Sequence, residues 1–556
     1  MPLTPDMRRA IDQIRDYLFG GGYPDPVSNA EQLSFLFFFY LIEGIDAENQ
    51  ARAKVLKQPY ESLFAGERSL RNPQNATTPG QAHVACTQFR WSVWARGLSG
   101  PALVRWVRDE VFPFFADLAG DAAVNFMHGA RLVIDEPTVL TQVVTLVDGL
   151  LLDRADADTK GDLFEHVLKQ IKQAGELGQF RTPRHIIRAI VQMMDPQIGE
   201  TVYDPAAGTA GFLVAAYNHI RLANSSPAGT QSVELDGKPQ QRGLGDLLSA
   251  AQTATLHNRT FYGNDVDPKM VRLATMNLTL RGLPNVRILL RNVLTTTLDA
   301  ERKAALGLPE GGYHVVLANP PFSGRVDRDR IVDDVKVGST TATELLFLKY
   351  MVDSLRPGGR CAVIVPEGVL FGSTGAHKEL RRQLIENHSV QAVLSLPGGV
   401  FQPYSGVKTS VLSLRRGGST QELLFLPAAN AGYRLDANHD VAIAQDDLPA
   451  LMAAYRSRDE RLAEWRQVFP PLPRAGEGRG EGQRPPPAEW NHNWWFADTA
   501  TLRANDFNLS AGRYRPLSQA QVEHQDPREL LAELAAIEAE IAEEVEALRA
   551  VLGEVA

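Results

Sequence analysis

The chain has 556 residues, 44% of them hydrophobic and 22% charged. That length predicts three or four structural units at about 150 residues each, and that composition excludes fibrous and wholly disordered chains. The net charge is −9 and there are only two cysteines, Cys86 and Cys361, which excludes a disulfide framework and a four-cysteine zinc site.

The acidity is unevenly placed. Ten acids stand against two arginines between positions 523 and 556. The rest of the chain is therefore near neutral and can still carry a basic cleft. Cys361 lies in an apolar run and reads as a core residue, and both cysteines suit a reducing cytoplasm. Residues 1–10 hold no apolar signal core. The longest apolar run, 33–42, is about half a membrane span. The expectation is a soluble cytoplasmic protein with no membrane-spanning segment.

Residues 1–155 read as all-helical. Ile11, Ile14 and Leu18 recur at helical spacing within 7–19, and 33–42 reads as a buried helix. Segments 102–115 and 138–152 are further helices. From 156 the pattern changes. Short β-branched runs at 201–203, 260–262, 286–290, 314–317, 362–365 and 392–396, with another strand at 407–414, alternate with helices. That alternation predicts an α/β domain over 156–430 with a mostly parallel sheet. Residues 415–470 show no clear pattern. The Pro/Gly-rich stretch 470–487 reads as a flexible loop. Leu530, Leu534, Ile537, Ile541, Val545, Leu548 and Leu552 form one apolar stripe with a glutamate-rich opposite face. This predicts an amphipathic helix over 528–553 that docks on its own body or on a partner helix.

Four motifs carry chemistry. Gly178-Gln179-Phe180-Arg181-Thr182-Pro183 opens a helix, with Thr182 as N-cap and Pro183 at the first helical position. Free amides at such an end suit an anion such as a carboxylate, and Phe180 can lie against the same ligand. Asp204-Pro205-Ala206-Ala207-Gly208-Thr209-Ala210-Gly211-Phe212 follows a strand and opens a helix. Gly208 and Gly211 allow a tight turn and a close ligand approach. Asp204 is wrong for a diphosphate and right for an amino group, such as that of the methionine end of S-adenosylmethionine. The plainer alternative is an ordinary strand-to-helix turn.

Asp265, at the end of the next strand, suits paired ribose hydroxyls. Asp267, just before Pro268, suits the N-cap of a helix over 269–280. Last comes Asn319-Pro320-Pro321-Phe322 at a strand end. An Asn oxygen and a rigid carbonyl at Pro320 can accept both hydrogens of an exocyclic amine, and Phe322 can stack on a flat base. No metal-ligand cluster stands out.

In this order the motifs resemble the amino-methyltransferases that act on adenine in DNA. The resemblance implies a Rossmann-like methyltransferase domain, S-adenosylmethionine as cofactor, and catalysis by Asn319, Pro320, Pro321 and Phe322. It implies a cofactor site of Phe180, Thr182, Asp204, Ala206, Gly208, Thr209, Gly211, Phe212 and Asp265. The family's next acid, near adenine, falls at Asn292, where an amide can still accept a hydrogen bond.

More closely, the chain resembles the modification subunit of type I restriction-modification systems. The residues that carry this are the helical start near Ile11, Pro366-Glu367-Gly368 in its strand-end run, Phe401-Gln402-Pro403-Tyr404-Ser405-Gly406-Val407-Lys408, and Asn505-Asp506-Phe507 before the acidic helix. The resemblance implies double-stranded DNA, a separate specificity subunit, a restriction/translocase subunit and a second copy of the chain as partners. Tyr404 and Lys408 are candidates for touching substrate, and Tyr404 is equally a candidate structural residue. No Gly-x-x-x-x-Gly-Lys-Ser/Thr loop occurs, so cleavage or translocation falls to another subunit. The rival readings are a stand-alone defence methyltransferase, a glutamine or RNA methyltransferase, and a non-catalytic scaffold.

Overall fold

The computed structural model describes residues 4–57, 59–76, 78, 80–118, 126–127, 129–173, 182–283, 285–402, 405–435, 441–469, 490 and 492–516. The expectations for Phe180, Tyr404, the 470–487 loop and the 528–553 helix lie outside the described residues. Two units are distinguished, one of residues 1–462 with 493–514, the other of 463–492 with 515–556. Within the second, Trp465 stacks on Phe469 at 4.2 Å and meets Trp490 edge-on at 5.2 Å.

The larger unit begins with helices. Thr4 caps α1 (Pro5–Gly20), which buries Ile11, Ile14 and Leu18. Asp25 caps α2 (Pro26–Leu56), 31 residues long, so the apolar run 33–42 is only its middle. That run sits among buried aromatics, including Phe35, Phe37, Phe39, Trp91 and Trp94. An apolar run on every face of a helix is what a central position requires. The helix expected over 102–115 runs without interruption from Gly100 to Leu118, with a π-helical turn at Val107–Val111. Pro113 has no N–H to offer the carbonyl four residues back, which fits a widened turn just before it. The described residues of this region also hold a two-strand ribbon, Glu67–Ser69 with His83–Ala85, which corrects the all-helical expectation. α3 (Pro137–Gly149) and α4 (Ala157–Gln173) complete it.

After α5 (Arg184–Met194) comes the sheet. Its strands are β1 (Val202–Asp204), β2 (Phe261–Asp265), β3 (Arg287–Leu290), β4 (Tyr313–Ala318), β5 (Leu355–Pro366), β6 (Ser389–Ser395), β7 (Thr409–Arg415), β8 (Glu422–Pro427) and β9 (Trp495–Asp498). Their spatial order is β9-β8-β6-β7-β5-β4-β1-β2-β3. The run from β5 through β4, β1 and β2 to β3 is parallel. β7 is antiparallel to both β5 and β6. Each parallel strand needs a crossover. Among these are α6 (Gly211–Ala223), α7 (Pro268–Thr279), α8 (Thr343–Ser354) and α9 (Gly375–Asn387). The sheet does not stop at 430. β9 extends its edge beyond β8, with Phe425 paired to Trp495, and covers the short apolar run 423–426.

Strand order reverses between β1 and β4. In an open parallel sheet the crevice forms at that switch point, beyond the C-terminal strand ends. Asp204 ends β1, Asp265 ends β2, and Asn319 follows β4. One further element borders this crevice. A hairpin, Thr230–Leu235 and Lys238–Gly243, turns through Asp236 and Gly237, both at positive φ. The sequence reading missed it, although Asp-Gly is a strong two-residue turn signal.

Candidate active site

Thr182, Asp204, Ala206, Gly208, Thr209, Gly211, Phe212 and Asn319 line one cavity of about 1250 Å³, walled on another side by the hairpin. The glycine turn is tightly tied. The Ala207 N–H donates to the Asn264 carbonyl at 2.9 Å and the Ala210 N–H to the Ala207 carbonyl at 2.7 Å. Gly208 lies at φ +51°, and a Cβ there would meet no atom within 4 Å, so its missing side chain faces open space. Ala210 also takes the left-handed conformation, at φ 65°, and offers no side chain to cap α6. The first amides of α6 are therefore left for a ligand.

Asp204 is 1% exposed and accepts the Ala206 N–H at 3.0 Å. Burial pushes its carboxyl up to about 8, and the nearby Asp265 charge adds to this. Asp265 accepts the Gly208 N–H on Oδ2 and the Asp267 N–H on Oδ1, both at 2.9 Å. Burial raises it as well, against those two backbone bonds. Asp267 caps α7 through the Lys269 N–H at 2.8 Å, as expected.

Several assigned residues are placed otherwise than expected. Thr182 is not the cap of α5. Pro183 holds that position, without a side-chain bond. The Thr182 hydroxyl instead accepts the Asn319 Nδ2–H at 2.8 Å. Neither Asn292 nor Asp265 lines the cavity, and the Oδ1 of Asn292 accepts the Leu294 N–H at 3.0 Å in a local turn. Within the catalytic motif, Pro320 is buried and Pro321 exposed. Phe322 is 6% exposed and packs edge-on against Phe401 at 5.2 Å. In this conformation it offers little surface to a base, so stacking requires that pair to open. Asn319 Oδ1 is buried with no hydrogen-bond partner among the described residues. A buried carbonyl left so costs about 1–3 kcal/mol, which suits an oxygen waiting for a donor.

Sequence reasoning also missed a support from the helical region. Glu165 on α4 accepts from Arg184 Nη2 at 2.6 Å and from Asn277 Nδ2 at 3.2 Å. Asn277 Nδ2 also donates to the Thr209 carbonyl of the glycine turn at 2.8 Å. One carboxylate thus braces the elements that carry two cofactor motifs. Arg281, fully buried, adds a contact to Glu165 at 3.6 Å, and its guanidinium is pulled down by burial. Lys408 pairs with Glu367 at 3.2 Å.

A sheet with this strand order, acids at the ends of β1 and β2, a glycine turn and Asn-Pro-Pro-Phe after β4 define an S-adenosylmethionine-dependent methyltransferase for planar amines. The residues fit that cofactor: a buried acid, an open glycine face and uncapped amides share one cavity. The chain belongs to the N-6 DNA methylase family, whose model matches residues 155–524. It is 31% identical over 412 residues to the EcoKI methylase subunit of a type I restriction enzyme from Escherichia coli K12, covering 70% of this chain and 68% of that one. It is 26% identical over 479 residues to the Escherichia coli EcoEI methylase subunit, covering 84% and 86%. A solved chain from a type I restriction-modification system matches with TM-score 0.67 and 25% identity over 100% and 99% of the two chains. The modification subunit of a putative type I restriction enzyme from Vibrio vulnificus shares the fold, with TM-score 0.62 and 21% identity over 90% and 94%. Among the described residues no helix is long and apolar enough to cross a membrane.

Proposed function

We propose that this chain is the modification subunit of a type I restriction-modification complex and methylates adenine N6 in double-stranded DNA. It acts in the cytoplasm with a specificity subunit, a restriction/translocase subunit and a second copy of itself. The observation that carries the reading is the buried Oδ1 of Asn319, without a hydrogen-bond partner among the described residues, in the cavity that also holds Asp204 and Gly208.

A stacked base cannot reach a crevice of this kind, so the target adenine is flipped out of the duplex. Asn319 Oδ1 and the Pro320 carbonyl accept the two hydrogens of its amine, and this draws the nitrogen lone pair out of ring conjugation. Asp204 takes the cofactor's amino group, Asp265 its ribose, and the uncapped first amides of α6 its carboxylate. When bound, S-adenosylmethionine supplies an electrophilic methyl group. The amine loses its extra proton to solvent after transfer, and the motif itself, Asn319-Pro320-Pro321-Phe322, carries no basic side chain. The chain's contribution is positioning and fixed dipoles.

The test is transfer of labelled methyl from S-adenosylmethionine to duplex DNA by the assembled complex, with the product hydrolysed to nucleosides. Label in N6-methyldeoxyadenosine is the expected result. Label in cytosine, RNA or protein overturns the reading.

A further inference from the structure

The Asn319 carboxamide is held from one side. Its Nδ2 donates to Thr182 Oγ1 at 2.8 Å, and its Oδ1 is buried with no partner among the described residues. The two residues are 137 apart in sequence and come from different elements, the lead-in to α5 and the end of β4. Thr182 is itself 8% exposed, so the bond is sheltered from water. Both partners are stiffened locally. Thr182 precedes Pro183, which restricts it to extended backbone, and Asn319 precedes Pro320, which does the same.

A carboxamide turns about a soft terminal torsion. Without a partner on its nitrogen it samples a range of orientations, and its oxygen meets an incoming amine in only some of them. A hydrogen bond given by the N–H also polarises the amide and strengthens the oxygen as an acceptor. Both effects act on the atom that the function requires to face the target amine.

We propose that Thr182 is a positioning residue for methyl transfer: its hydroxyl fixes and polarises Asn319 so that Oδ1 receives the adenine amine. This rests on the adenine methyltransferase reading and adds to it. It moves Thr182 from the cofactor's binding set to the catalytic amide. It also makes the start of α5 a support for the Asn-Pro-Pro-Phe loop.

The test uses the full chain assembled with its specificity subunit. Thr182→Val removes the acceptor at nearly constant volume, Thr182→Ala removes it without the extra methyl, and Thr182→Ser keeps it. Single-turnover transfer at saturating cofactor and DNA is expected to fall about 100-fold in the Val and Ala variants, the scale of a misplaced reacting group. The Ser variant is expected to restore it to within a few-fold, and the cofactor Kd to hold in all three. An intact Kd also shows that the variants are folded. Transfer at the wild-type rate in Thr182→Val or Thr182→Ala overturns the inference, as does a Ser variant as slow as Val. So does a loss confined to cofactor affinity. A wild-type complex that makes no N6-methyladenine overturns the function itself, and the inference with it.

Discussion

The Asp265 carboxylate accepts the Gly208 N–H at 2.9 Å, so the ends of β2 and β1 are fastened to each other. These are the residues assigned to the ribose and to the backbone approach of one cofactor. Their spacing is set before any ligand arrives, which spares binding the cost of ordering them.

Gly208 gives the first prediction. Its positive φ and open Cβ direction put any side chain into the cavity rather than into the core. Gly208→Asp is expected to leave the chain folded, with a strain of about 1–2 kcal/mol, and to abolish cofactor binding. Calorimetry with S-adenosylmethionine checks this, and unchanged binding contradicts the assignment.

Asp204 predicts a pH effect. Its carboxyl, near 8 in the folded chain, is mostly protonated at pH 7. A ligand ammonium favours the carboxylate, so binding expels a proton, and affinity rises from pH 6 towards 8. Calorimetry in two buffers of different ionisation enthalpy is expected to differ by the release of up to one proton. Asp204→Asn is expected to erase the difference. Equal enthalpies for the native chain contradict the role. The same shift bears on stability. The folded value lies above the unfolded one, near 4, so the group stabilises the fold fully below about pH 4. That contribution is lost as pH rises through about 8.

Glu165 ties the helical region to both cofactor elements. Glu165→Ala leaves the buried Arg281 without that partner and Asn277 with the Thr209 carbonyl but not the carboxylate. A loss of about 3 kcal/mol in unfolding free energy is expected, with weaker cofactor binding. Denaturant titration and calorimetry on the same sample read both effects. A stable variant with native affinity contradicts the bracing role.

Gly161, on the same helix, predicts a purely steric effect. A Cβ there would lie 1.6 Å from Arg281 Nη1 and 2.7 Å from its Cγ. Because Arg281 is buried, Gly161→Ala is expected to cost about 1–3 kcal/mol. An unchanged denaturation midpoint shows that Arg281 has another place to go.

The strand-end positions of Asp204, Asp265 and Asn319 were legible because each follows a short β-branched run and meets a turn. Their convergence depends on strand order, which no local pattern states. β8 and β9 were not legible. A four-residue apolar run in a featureless stretch looks the same in a strand or a buried helix. Their partnership also joins residues 70 or more apart. Thr182 shows the opposite failure. Its Thr-Pro pattern satisfies the rule for a cap, yet its hydroxyl bonds 137 residues away, and tertiary structure overrode the local preference. Phe322 reads as a free stacking ring only while Phe401, 79 residues on, is out of view.

The central claim is that this chain methylates adenine and takes its sequence specificity from a partner. The direct measurement is modification-sensitive sequencing of DNA from a host lacking adenine methylation, which expresses the chain alone or with its specificity subunit. The account predicts N6-methyladenine at one split motif with the subunit, none without it, and none with Asn319→Ala in either case. Methylation at a defined motif by the chain alone would contradict borrowed specificity, and methylation by Asn319→Ala would contradict the site.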